Sequence, residues 1–470
     1  MVFSQCFTFH PVGQGLFYSG VLKLNLRSSQ SHKFHMVFDC GSINNSFATK
    51  EVEAFRKAEL FDKNYIDLLI ISHFDMDHCS HVKDLVKGKK IRRLVLPFMG
   101  YAERLVLSLR IVEESIQPLP AELIGFILDP ISSLGDSLDG DSIVYLIESG
   151  SNYPDGDFPN DDKNPELPID NLDGTVSFGM NDKEQEDYQD DGSFGSSWNS
   201  IVKIFKVSDR IPGIASYSSY DLMDFIFYKK KLTDDDKAFY DKVLELFSSD
   251  YSSIEGIIEA VVNIGNAGLV KKLFRDAADS LGIKKSKVDN LNFSSLCMLH
   301  RNLKTLDSLL EHYDSSPFRF NHDSYLTSLV RVKNDSAWRT YRLGYYFRTH
   351  FWVQGLNYDK SFFPNTLLTS DTFILSGVDL AAFLNRYRFF LPQVSLAQIP
   401  HHGSRHSVSS DFFSAVSQAS PEVVFFCNHS FRSSEHPSKD VIGIINGLDD
   451  ACYFSITEFT GLKSEIKSYY

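Results

Sequence analysis

"IISHFDMDHCSH", residues 70–81, decides how this chain is read. It ends the mostly apolar run Ile66–Ser72 and then sets His73, Asp75, Asp77, His78 and His81 within nine residues. An apolar strand running into so many polar groups puts them on the loop at the carboxyl end of a sheet. His73, Asp75, Asp77 and His78 offer four nitrogen and oxygen donors that can surround cations without thiolates. Imidazole and carboxylate together suit zinc, manganese or iron. His73 and Asp75, two apart, can point one way while adjacent Asp77 and His78 turn toward a second ion. Two ions about 3.5–4 Å apart are the usual apparatus for hydrolysing phosphate esters. The competing reading is a hydrogen-bonded turn whose acids cap the next helix. One His and one Asp would fit that turn; five such groups fit it poorly.

The flanking sequence supplies the architecture. "HMVFDCG" (35–41), "YIDLLIIS" (65–72) and "IRRLVLP" (91–97) read as short buried strands, with helical spacing in "KEVEAFRKAEL" (50–60) and "HVKDLVKG" (81–88). The last third repeats the style in "PNTLLTSD" (364–371), "VSLAQIPHHGS" (394–404), the helical "SSDFFSAVSQ" (409–418), "PEVVFFCNHS" (421–430) and "SKDVIGIING" (438–447). Strands alternating with helices predict an α/β class. Between the two parts, 201–320 has mainly helical patterning and reads as an insertion that divides one α/β domain into 1–150 and 321–470.

Composition narrows the setting. The chain has 470 residues, 43% of them hydrophobic, which suits a packed soluble protein, and no apolar run approaches the roughly 20 residues of a membrane span. With no basic-then-apolar leader and six cysteines lacking a CxxC pair, the expected compartment is cytoplasmic, without a disulfide framework. The net charge of −14 sits mostly in 151–191, with thirteen acids against two lysines, so 151–200 reads as a solvated acidic loop. "KDLVKGKKIRRL" (83–94) is strongly basic and follows the polar cluster; it reads either as a solvated face or as a phosphate track. "YRLGYYFRTHFWVQGLNY" (341–358) reads as core β packing or as a stacking platform for a single strand.

His73-Phe74-Asp75-Met76-Asp77-His78 resembles the HxHxDH signature of the metallo-β-lactamase superfamily, with Asp75 in place of its second His. "PVGQG" (11–15), "VFDCG" (37–41), "LLTSD" (367–371), "IPHHGSRHS" (399–407) and "EHPS" (435–438) resemble further elements of that family, in its order. The Asp variant with HHGS and HPS is similar to the ComEC-type branch of DNA-uptake hydrolase domains and free-standing relatives, over about half the chain. The resemblance implies an αββα sandwich interrupted by the helical insertion. Ser80, His81, Ser370 and Glu435 depart from the pattern, standing where the family has glycine. The branch's third motif, an Asn-rich strand, has three candidate places: "NFSSLCML" (292–299) with Asn292 and Ser295, which fits best, "WNSIVKIF" (198–205) with Asn199, and "NHDSYLTSLV" (321–330) with Asn321 or His322.

The resemblance implies two divalent ions, zinc or manganese. His73, Asp75 and Asp371 would hold one; Asp77, His78, Asp371 and one of His401 and His402, preferably His402, would hold the other. A bridging water would become hydroxide and attack phosphorus in line, with His401 or His436 stabilising charge or protonating the departing oxygen. Asn292, Ser295 and Ser404 are candidate substrate contacts, although Ser404 reads better as a cap for the helix near Ser409. His81 and His406 read as supporting or surface residues, and Cys40 and Cys79 as small core residues. The expected function is a phosphodiesterase, foremost a nuclease. A hydrolase of small phosphodiesters or nucleotides stands beside it, and so does a non-catalytic protein tied by metals. A nucleic acid or nucleotide is the expected substrate, the insertion a possible surface for a protein partner, and defence against phage or foreign DNA a possible role.

Overall fold

The described residues of the computed structural model are 2–25, 31–60, 64–114, 121–148, 176–177, 202–207, 210–212, 216–217, 220–221, 223–248, 267–283, 295–302, 327–334, 337–342, 365–375, 377–420, 423–433, 435–448 and 451–469. They form a mixed α/β structure built on two large sheets. In the first, Lys203–Val207, Ile143–Ile147, Arg93–Pro97, Leu68–Ile70 and Ser31–Cys40 lie side by side and parallel. Phe17–Asn25, Val2–Phe9, Gly461–Tyr469, Thr327–Asn334 and Ala337–Arg342 extend it antiparallel. The second sheet runs Arg210–Pro212, Met223–Lys229, Leu296–Asn302, Asn365–Leu368, Val394–Gln398, Val423–Asn428 and Ala451–Ile456, parallel from Asn365–Leu368 onward.

The apolar runs are nearly continuous because both faces of these strands are buried. Neighbouring residues divide between two cores: Val37, Leu69, Leu94 and Val144 face helices, while Phe38, Ile70, Val95 and Tyr145 face the other sheet. The inter-sheet core adds Phe225, Leu296, Met298, Leu368 and Phe426 from the second sheet. That sheet's other face packs on Gly377–Tyr387, Ser410–Ala419 and Lys439–Asn446 through Phe383, Phe412 and Ile445. Among the described residues, no helix is long and apolar enough to cross a membrane.

One expectation changes in this frame, and a second is narrowed. The helical patterning of 201–320 holds for Asp234–Ser248 and Ala267–Leu281, which bury Phe239, Val243 and Phe274 in the same core as Leu105 of the helix Tyr101–Glu114. The flanking Lys203–Val207, Met223–Lys229 and Leu296–Asn302 are instead strands of the two main sheets. Lys203–Val207 and Leu296–Asn302 overlap two of the segments offered for the Asn-rich motif, and their sheet partners lie far away in sequence, beyond the reach of local patterning. For the basic segment 83–94, whose sequence is open to two readings, the cations at its end lie away from the loop 72–78. Arg93–Pro97 runs parallel to Leu68–Ile70, with Ile70 opposite Val95, so Arg92 and Arg93 sit at the entry of the strands and residues 72–78 lie past their exit. There Arg92 pairs with Asp67 at 3.3 Å and stacks on Tyr65, and Lys89 donates to the Leu60 carbonyl. These cations brace the far end of the sheet. Within 151–200 only 176–177 are described, and of 343–364 none is.

Two glycines let the loop that follows Ile70 sit directly on the strand ends. A Cβ on Gly15, whose φ is +140°, would lie 2.6 Å from the Asp77 carbonyl oxygen; one on Gly41 would lie 2.5 Å from His78 backbone atoms. Hydrogen bonds fill the space so gained, from Leu16 N to the Asp77 carbonyl and from His81 N to the Cys40 carbonyl, each 2.9 Å. Gly41→Ala should therefore force the loop outward and cost about 1–3 kcal/mol. Urea unfolding checks this, and an unchanged midpoint would contradict the close approach.

Candidate metal centre

The centre forms where both sheets' parallel strands end. Leu68–Ile70 delivers Ser72, His73 and Asp75, and the short helix Met76–Cys79 carries Asp77 and His78. Asn365–Leu368 delivers Ser370 and Asp371, and Val394–Gln398 delivers His401 and His402. Asp75 occupies the N-cap position of Met76–Cys79, yet its side chain caps nothing and lies 3.5 Å from His73 Nε2. The helix-capping alternative therefore fails for this residue.

Each imidazole is held by Nδ1, which turns Nε2 inward. His73 Nδ1 is 2.9 Å from Ser72 Oγ and 3.3 Å from Ser370 Oγ. His78 Nδ1 donates to Asp39 Oδ2 at 2.8 Å, and His402 Nδ1 donates to the Asn428 carbonyl at 2.7 Å. His401 Nδ1 lies 2.7 Å from Ser407 Oγ. Nδ1 partners of this kind fix the ring and its tautomer in metal-ligating histidines. The Nε2 atoms of His73 and His78 are buried without a hydrogen-bond partner, a costly state for a polar nitrogen unless a ligand completes it.

Asp371 divides the cluster. Its Oδ1 faces His78 Nε2 at 3.3 Å and His402 Nε2 at 3.7 Å; its Oδ2 faces His73 and His401, each at 3.7 Å. Asp77 Oδ2 is 2.9 Å from His402 Nε2. His73, Asp77, His78 and Asp371 each bring a ligand atom within 4.8 Å of the others, so this group could hold a metal ion. The donor chemistry fits a divalent cation, since neutral imidazole and carboxylate both coordinate one.

Backbone strain is concentrated here. Among the described residues, the non-glycine residues with positive φ are Asp39, Ser370, His401 and His402, all in or against the cluster. Such positions cost on the order of 1 kcal/mol or more each and persist where surrounding contacts impose them.

Electrostatics bind the groups together without a metal. Burial alone would raise the carboxyl of Asp77, but His78 and His402 overcome it and hold it at about 2. Asp371 is likewise held well below its ordinary value, its burial outweighed by His402, His401 and His78. Burial works against the charged forms of His78 and His402, yet the facing Asp371 and Asp77 raise both. At the rim, burial and the neighbouring His402 and His401 lower His436. Its ring lies 6.4 Å from that of His401 at 23°, and its buried Nδ1 lacks a partner.

Other expected residues fall as follows. Ser295 reaches the edge of the centre, because Leu296 N donates to the Ser72 carbonyl at 2.9 Å; its buried Oγ has no partner. Asn292, Asn199, Asn321 and His322 lie outside the described residues. Ser404 does not cap Ser410–Ala419: the N-cap is Ser409, and Ser404 Oγ accepts from His406 N within its own turn. His81 is buried against Thr49 and Ser80, His406 is exposed, and Cys40 and Cys79 are buried thiols.

Sequence reasoning missed Asp39 and Asn428. Asp39 also accepts from Ser72 N at 2.6 Å; it lies in the VFDCG stretch that resembles the family, which by itself assigns it no role. Asn428 continues the alternation of Val424 and Phe426 toward the inter-sheet space, and both polar atoms of its buried side chain lack partners.

Removing the carboxylate behind His78 should loosen the centre. Asp39→Asn should lower divalent-metal affinity roughly 10–100-fold by calorimetry, and unchanged affinity would contradict the positioning role. The metal-free protein should also have a pH optimum. Asp77's contribution is complete above its ordinary 3.8 and fades as pH falls toward 2. His78 and His402 contribute fully below 6.5 and lose that contribution as pH rises through their raised values. Melting temperature in EDTA should therefore peak between about pH 4 and 6.5. A steady rise through pH 8 would contradict this. No family model and no curated protein matches the chain.

Proposed function

We propose that this chain is a metal-dependent phosphodiesterase, and specifically a nuclease, of the metallo-β-lactamase superfamily. The observation that carries the reading is the inward convergence of Nε2 atoms from four histidines on the two oxygens of Asp371. Supporting it are the facing sheets with helices on their outer sides, which fit the αββα sandwich implied by the HxDxDH and HHGS motifs. That fold hosts many reactions, so phosphate chemistry rests on the branch resemblance and on the donor set.

His73, Asp75 and Asp371 Oδ2 form one half of the proposed ligand set; Asp77, His78, His402 and Asp371 Oδ1 form the other. Two zinc or manganese ions held there would supply Lewis acidity toward a phosphate. Around them, Asp39, Ser72, Ser370 and the Asn428 carbonyl keep the imidazoles aimed. Ser295, whose buried Oγ has no partner, lies at the edge of this set, and Ser404 is buried within its own turn. His401 and His436 stand at the rim, where an imidazole nitrogen could meet a phosphoryl or departing oxygen.

The test is to load the protein with manganese or zinc and assay an aryl phosphodiester, single- and double-stranded DNA, RNA and cyclic dinucleotides. Turnover of polynucleotides is expected, falling by roughly a hundredfold or more in Asp371→Ala and Asp77→Ala. Turnover of small diesters alone would replace the nuclease with a nucleotide hydrolase. Bound metal with no turnover would leave a non-catalytic metal-tied protein.

A further inference from the structure

With Lys89, Arg92 and Arg93 at the opposite end of the strands, and an overall charge of −14, a polyanion needs another means of capture. The structure offers one beside the centre. Phe47, Phe459 and Phe431 come from the helix Asn45–Ala58, the turn before Gly461–Tyr469 and the loop after Val423–Asn428. They form a continuous row of rings: Phe47 meets Phe459 at 5.4 Å and 82°, and Phe459 meets Phe431 at 5.6 Å and 88°. Burial does not explain this row, because Phe431 is 67% exposed and Phe459 38%.

The row is fastened in place. Glu458 accepts from Ser430 Oγ at 2.7 Å and from Phe431 N at 2.8 Å. A Cβ on Gly13 would lie 2.6 Å from the same carboxyl group, so the N-terminal turn packs against it. The row is also close to the centre. Phe431 is three residues beyond Asn428, whose carbonyl holds His402, and three residues span at most about 11 Å. Two cations flank it: Lys50 Nζ lies 5.5 Å from the Phe47 ring centre, and Arg432 is exposed next to Phe431.

We propose that Phe47, Phe459 and Phe431 form a stacking surface for the unpaired bases of a single-stranded polynucleotide, with Lys50 and Arg432 beside its phosphates. Exposed rings offer every base a π-face irrespective of sequence, whereas bases within a duplex are already stacked and paired. The choice of occupant rests on the phosphodiesterase reading; the rings, their exposure and their anchoring do not.

The test uses the full chain and two labelled phosphorothioate 12-mers, oligo(dT) and an abasic strand, read by fluorescence anisotropy. Oligo(dT) should bind more tightly than the abasic strand. Phe431→Ala should weaken oligo(dT) binding roughly tenfold, Phe431→Trp should retain it, and turnover of an aryl phosphodiester should stay unchanged in both. Equal binding of the two strands, or oligo(dT) binding indifferent to Phe431→Ala, would overturn the proposal. A shift of oligomeric state in Phe431→Ala without loss of oligo(dT) binding would assign the rings to a protein contact instead. Ring-dependent binding in a protein that cleaves no phosphodiester would leave this surface standing and remove the phosphodiesterase reading.

Discussion

The rest of the structure depends on burying imidazoles and carboxylates together at the exit of two sheets. Taken singly, these charges would be expelled or neutralised by burial. Together, Asp77 and Asp371 are held ionised by His78 and His402, and those histidines are held toward the charged form by the carboxylates. A divalent cation can take the place of the imidazole protons, because its ligands are neutral imidazole and carboxylate. Binding and proton release are then one process. The surrounding hydrogen bonds keep that exchange local: Asp39, Ser72, Ser407 and the Asn428 carbonyl fix Nδ1 of each ring, so Nε2 faces inward whatever occupies the middle.

Holding that arrangement has a structural cost, and the fold concentrates it. Asp39, Ser370, His401 and His402 all take left-handed backbone conformations, and each is locked by contacts on several sides. At 370 the serine accepts the strain that a glycine would avoid, and its hydroxyl lies 2.7 Å from Ser72 Oγ and 3.3 Å from His73 Nδ1. Glycine serves a different purpose at 15 and 41. There it brings backbone against backbone, so that the helix carrying Asp77 and His78 rests on the strand ends without intervening side chains. Rigid placement of this kind suits a site whose ligands must meet within tenths of an ångström.

Much of this could be read along the chain. The dense run His73–His81 announced a polar loop after a buried strand, and the strands at 35–40, 68–70, 93–97, 394–398 and 423–428 were visible as apolar runs. The meeting of Asp371 and His402 with that loop, some 300 residues away in sequence, was legible only through motif resemblance. Asp39 and Asn428 escaped because a single acid or amide ending a strand looks like any turn residue. Leu296–Asn302 was legible only through the motif resemblance at 292–299, because its pairing with Met223–Lys229 and Asn365–Leu368 is a long-range choice that local periodicity does not encode. The end of the basic segment lies away from the centre for a geometric reason: a parallel crossover returns the chain to the entry side of the sheet, so nearness in sequence became distance in space.

The most direct measurement is anomalous diffraction from crystals of the protein loaded with manganese or zinc. Anomalous density in contact with Nε2 of His73, Nε2 of His78 and the Asp371 carboxylate is the predicted result. An ordered centre without such density, its imidazoles satisfied by carboxylates and water alone, would contradict it.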